Sequence, residues 1–115
     1  MSSPFEQIAN LDRLVHEPTR LAILTALSAC ERADFLFLQR ITGLTTGNLS
    51  SHLSKLEGAG LVEIEKRFVD KKTQTLARLT GMGREAVEGY WKEMEALRDS
   101  AARWVATGAL VPAGS

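Results

Sequence analysis

The chain is expected to be mainly α-helical with one small β-hairpin, on three observations. Up to Leu56, apolar residues recur three and four positions apart in four successive stretches. Between Val62 and Leu79 the period drops to two, and from Val87 to Trp104 the three-four spacing returns without a break. With 115 residues, 44% of them apolar and 24% charged, this amounts to one domain with a modest core. No apolar run is long enough to span a bilayer, and Met1–Pro4 opens no export signal. A cytoplasmic location with no membrane partner is therefore expected.

Phe5, Ile8, Leu11 and Val15 stripe a first helix over residues 4–15. Pro18 suits the first position of a second helix, where a missing N–H is no loss. Its apolar face, Leu21, Ile23, Leu24 and Leu27, runs to about Ala29. Glu31-Arg32-Ala33 is a polar connection to Asp34, a good N-cap for a third helix striped by Phe35, Leu38 and Ile41. Gly43 ends that helix, where positive φ is wanted. Thr45 caps a fourth, carrying Leu49, Leu53 and Leu56 on one side and closed by Gly58-Ala59-Gly60. Two short helices joined by a tight turn containing glycine have the form of a helix-turn-helix.

After Gly60, Val62, Ile64 and Phe68 are expected on one side of a strand, with Glu63, Glu65 and Arg67 on the other. Val69-Asp70-Lys71-Lys72 reads as a polar loop and residues 73–79 as the returning strand. Thr80 can cap a last helix, from about Met82 to Trp104. Its residues Val87, Tyr90, Met94, Leu97, Ala101 and Trp104 are spaced 3-4-3-4-3, a heptad seam suited to a second helix. The organisation expected is an N-terminal helix (1–15), a helix-turn-helix with hairpin (16–80), a C-terminal helix (81–105) and a flexible tail (106–115). Phe5, Ile8 and Leu11 would pack on the C-terminal helix of the same or a partner subunit, and the aromatic surface of Tyr90, Trp91 and Trp104 favours a dimer.

The fourth helix, about 45–57, is the candidate reading element. Opposite its leucines it carries Thr46, Gly47, Asn48, Ser51, His52 and Lys55, small or hydrogen-bonding side chains fit for a major groove. Asn48 could pair with adenine. Thr45, Thr46 and the first backbone N–H groups could hold a phosphate. Gly47 costs a helix about 1 kcal/mol relative to alanine, which either close backbone approach to DNA or a packing need would explain. The basic hairpin tip, about 66–73, could lay Arg67, Lys71 and Lys72 on the backbone or in the minor groove. Overall charge is zero, against the basic excess usual for nucleic-acid binders. Its distribution is uneven, with six cations against four acids in residues 45–80 and four against five in each flank.

Other chemistry finds little purchase. Cys30 is the single cysteine, His52 has no second ligand at metal spacing, and no phosphate loop or nucleophile-base set is present. Neither a metal, a cofactor nor an enzymatic activity is expected.

Three segments carry a family resemblance: HEPTRLAILTAL (16–27), ADFLFLQRITGLTTGNLSSHLSKLEGAGLVEIEKRF (33–68) and TQTLARLTGMGREAVEGY (73–90). They resemble winged-helix transcriptional regulators, the short bacterial and archaeal type related to the ArsR and MarR groups. The most specific pieces are Gly43-Leu44-Thr45, Gly47-Asn48-Leu49-Ser50, His52-Leu53, Leu56-Glu57, and Leu79-Thr80 followed by Gly83-Arg84-Glu85-Ala86. The resemblance implies a homodimer joined through terminal helices, presenting two recognition helices to a pseudo-palindrome in double-stranded DNA. It also implies that Thr46, Asn48, Ser51, His52, Lys55 and the wing face the DNA. The helix before the recognition helix reads FLFLQRITG and lacks the Cys-x-Cys of the metal-sensing members, so thiolate metal sensing does not carry over. The expected function is a dimeric, sequence-specific DNA-binding repressor. The alternative is a winged helix used for protein–protein contact. A small-molecule effector could enter a dimer cleft near Trp91 and Trp104, though no residue names it.

Overall fold

A computed structural model describes residues 3–108. Five helices and three short strands follow in the order α1 (Pro4–Ala9), α2 (Pro18–Ser28), β1 (Ala33–Asp34), α3 (Phe35–Thr42), α4 (Thr46–Gly58), β2 (Val62–Val69), β3 (Lys72–Leu79) and α5 (Gly81–Ala106). The expected class, mainly helical with a small hairpin, is the one observed. Of the tail expected over 106–115, residues 109–115 lie outside the described residues.

The core forms where α2, α3 and α4 meet. Ile23, Leu24, Leu27, Leu38, Leu49 and Leu56 are fully buried there. The sheet closes one side with Val62, Ala77 and Leu79, and α5 adds Val87, Tyr90 and Leu97. These side chains fall on the apolar faces that the sequence spacing marks. Ile41 is the exception in α3: half of its surface remains exposed, at 51%.

The first helix is shorter than the expected 4–15. It ends at Ala9 because Asn10 turns its side-chain amide back onto the Glu6 carbonyl (2.8 Å). Asp12 then accepts the Leu14 N–H (2.9 Å). Asn and Asp compete in this way for backbone groups that a helix would use. Leu11 and Val15 are buried nonetheless, from turns rather than from a helix.

The sheet also exceeds the expected hairpin. The connection read as Glu31-Arg32-Ala33 supplies β1, giving the order β1-β3-β2 with Ala33 opposite Ala77 and Asp34 opposite Leu76. The four-residue loop expected over 69–72 contracts to two. Val69 pairs with Lys72, and Asp70 and Lys71 make the turn with φ of 49° and 64°. Both angles are positive, as the two-residue turn matching the twist of a hairpin requires. Phe68 does share a strand face with Val62 and Ile64. That face has run past the core by then, and Phe68 is 75% exposed.

The base of the hairpin is locked to the start of α5. Thr80 donates its hydroxyl to the Gly60 carbonyl (2.7 Å) and accepts the Gly83 N–H (2.9 Å), while its own N–H reaches the Leu61 carbonyl (3.1 Å). Gly83 permits this approach, since a Cβ there would stand 2.0 Å from the Leu61 oxygen.

Candidate nucleic-acid interface

The turn before α4 is fixed by local chemistry. Gly43 adopts φ of 70° and gives its N–H to the Gln39 carbonyl (2.9 Å), ending α3. Thr45 caps α4 by accepting the Asn48 N–H at 3.2 Å. Gln39 reaches across the turn to the Thr46 hydroxyl (3.1 Å), tying the two helices of the motif together. With Leu49, Leu53 and Leu56 held in the core, Thr45, Thr46, Gly47, Asn48, Ser51 and Lys55 are left exposed. An added Cβ at Gly47 would meet no atom within 4 Å. The packing explanation for this glycine is thereby removed.

His52 is not brought to that outer face. Its side chain is 20% exposed and turns toward α2, with Nδ1 3.9 Å from a Glu17 carboxylate oxygen and no hydrogen-bond partner. Glu17 is the N-cap of α2, accepting the Arg20 N–H at 2.8 Å. Burial raises the Glu17 carboxyl, but hydrogen bonds from the Arg20 and Thr19 backbone, with the charges of Arg20 and His52, leave it below its ordinary value. The His52 side chain therefore sits between α4 and the start of α2.

The wing brings further groups to the site. Lys66 and Thr75 line a groove with Ser50, Ser54 and Glu57 of α4, over a floor of Phe35, Leu53 and Ile64. Ser50, Ser54 and Lys66 were absent from the candidates that the sequence pattern selects. Helical spacing could have found Ser54, which follows Gly47 by seven and Ser51 by three. Lys71 and Lys72 are exposed at the tip. Arg67 differs: its Nε donates to Glu65 at 3.0 Å, and Arg32 lies 3.9 Å from the same carboxylate. The Arg67 hydrogen bond and the charges of Arg67, Arg32 and Arg78 outweigh slight burial and hold the Glu65 carboxyl below its ordinary value. Arg78 pairs in turn with Glu63 on the same sheet face. Wing arginine is thus engaged by acids, whereas the wing lysines stand out.

At the opposite end, α1 packs along α5, with the Phe5 and Trp104 rings edge to face at 6.2 Å. Tyr90 stacks edge to face on Trp91 (5.1 Å) and bonds His16 through its hydroxyl (2.7 Å). Leu11, Val87, Tyr90 and Leu97 are buried within the one chain. Ile8, Trp91, Met94 and Ala101 line an open groove instead, and Trp91 is 47% exposed. Among the described residues no three His, Cys, Asp or Glu side chains gather where a metal could be held. No helix among them is long and apolar enough to cross a membrane.

Comparison with known proteins agrees with this geometry. A model of the winged helix DNA-binding domain matches residues 19–97. An uncharacterised protein of Methanocaldococcus jannaschii is 34% identical over 82 residues, covering 71% of this chain and 89% of its own. An uncharacterised HTH-type transcriptional regulator of Bacillus subtilis is 34% identical over 77 residues, 67% of this chain and 46% of its own. The solved structure of a transcriptional regulator homologue from Pyrococcus horikoshii superposes with a TM-score of 0.76 at 30% identity, covering 84% of this chain and 94% of that one. With the helix-turn-helix, the wing and these relatives together, the chain belongs to the winged-helix family of DNA-binding transcriptional regulators and is not an enzyme.

Proposed function

We propose that the chain acts as a homodimeric repressor that binds a pseudo-palindromic operator in the cytoplasm. The α4 helix enters the major groove and the wing lies over the adjoining backbone and minor groove. The observation that carries this is the pairing of two surfaces across one groove: the small polar face of α4, and a wing whose lysines are exposed. Asn48 is the base reader, able to pair bidentately with adenine, and Lys55, Lys66, Lys71 and Lys72 anchor phosphates. Gly47 lets the α4 backbone approach the duplex closely. The open strip of Ile8, Trp91, Met94 and Ala101 supports pairing of two copies through α1 and α5, because exposed apolar surface of this kind is removed from water by association.

Binding to the chain's own upstream region, followed by gel shift or anisotropy, tests the proposal. Affinity should fall steeply with salt, and footprints should show half-sites about one helical turn, ~34 Å, apart. Asn48→Ala should relax sequence preference. Lys71→Ala with Lys72→Ala should weaken all duplexes alike. A chain that shows no salt-sensitive shift, and instead retains a protein partner under the same conditions, would point to the protein-contact use of the fold.

A further inference from the structure

Phe68 is the most exposed large apolar side chain among the described residues, at 75%. It sits on β2 opposite Thr73, just before the Asp70-Lys71 turn. Lys66 lies two residues away on the same strand face and Lys71 stands in the turn, whereas Arg67 and Lys72 fall on the other face and Arg67 is held by Glu65. Lys66, on the same strand face, already lines the groove beside α4. Two residues further along an extended strand is about 7 Å, which carries the Phe68 ring outward past that groove.

An exposed apolar ring with Lys66 on its own strand face and Lys71 in the adjoining turn matches a surface that alternates phosphates with hydrocarbon. The minor groove of duplex DNA is such a surface, walled by deoxyribose C–H faces between two phosphate ridges. Apolar side chains are a recurrent means of engaging it. We infer that Phe68 packs against the sugar walls of the minor groove flanking the site of α4, giving the wing an apolar contact beside its ionic ones. This rests on the DNA-binding reading above.

The two kinds of contact differ in their response to salt. A lysine on a phosphate releases counterions and steepens the dependence of affinity on salt, whereas an apolar contact releases none. The test measures duplex binding by anisotropy over a range of salt for the full chain and for Phe68→Ala, Phe68→Thr and Lys71→Ala. Threonine retains strand preference, so it separates the loss of the ring from any loosening of the hairpin. Both Phe68 variants should lose about tenfold in affinity, the scale of burying much of one aromatic ring, with an unchanged slope of log K against log salt. Lys71→Ala should lower that slope by about one for each wing engaged. If the wild-type chain shows no salt-dependent duplex binding, the DNA reading itself fails. If it binds and the Phe68 variants bind equally, or lose slope along with affinity, the apolar contact is overturned. Phe68 variants that halve the mass in solution would assign the ring to a contact between copies and overturn it as well.

Discussion

The head of the molecule and its arm are built on different terms. Where α2, α3 and α4 meet, six large aliphatic side chains are wholly removed from water, and each belongs to a helix capped by its own sequence. Along α1 and the outer part of α5, Ile8, Met94, Ala101 and Trp104 are only partly buried, and Trp91 remains 47% exposed. The head completes its own core. The arm leaves part of its apolar surface open to water. Stability is therefore expected to reside in the head and association in the arm, and the predictions set out to separate the two.

The largest effect should come from the head. Leu56→Ala removes a fully buried side chain and should cost about 2–5 kcal/mol, read by denaturant unfolding. A smaller loss would mean that the core can collapse around the gap. Next comes the junction between head and arm. Gly83→Ala drives a Cβ into the Leu61 carbonyl and should cost roughly 1–3 kcal/mol, because backbone cannot step aside as a side chain can. The thermal midpoint reports it, and an unchanged midpoint would show the junction to be loose.

On the reading face, stability and binding should part company. Gly47→Ala fills open space in a helix and should stabilise by up to about 1 kcal/mol, while weakening duplex binding where the backbone comes close. A variant that gains stability and keeps full affinity would show that the glycine serves no contact. In the arm, Trp91→Ser gives up the edge-to-face contact with Tyr90 and should cost about 1 kcal/mol, yet lower the mass seen by sedimentation. A large stability loss with unaltered mass would make the arm as self-sufficient as the head.

The smallest effect concerns the Glu17 carboxyl. Its folded-state value is held below the ordinary 4.5, so its ionised form stabilises the native chain above that value. The contribution is lost as the pH falls through the lowered folded value. Glu17→Gln, which keeps an acceptor for the α2 cap, should be slightly less stable than wild type at neutral pH and should converge with it in acid. A gap that stayed constant across the titration would assign the difference to shape rather than charge.

Much of the head was legible in the sequence because its signals are local. Asp34, Gly43 and Thr45 each act within a few residues of themselves, and Leu49, Leu53 and Leu56 state their face by spacing alone. What escaped depends on contacts distant along the chain. Two residues, Ala33 and Asp34, are too few to show a period, and only pairing with Ala77 and Leu76 makes them a strand. Phe68 obeys the alternation of its strand, but alternation says nothing of where the core beneath it ends. His52 lies at the margin between the buried and open faces of α4, and it turns toward Glu17 at the start of another helix. Spacing alone marks the apolar seam of α5. Spacing could not reveal that Val87, Tyr90 and Leu97 would be covered within the same chain.

The Thr80 clasp has a mechanical consequence. One hydroxyl joins the end of α4 at Gly60 to the first turn of α5 at Gly83, with the wing rooted between them. The root of the wing and the first turn of the long helix are therefore held by the same hydroxyl. In a paired molecule, the crossing angle of the two α5 helices, each ~39 Å long, becomes a ruler for the distance between the two wings. On the proposed pairing through α5, the length of DNA that two copies span would be set at that seam, far from any base.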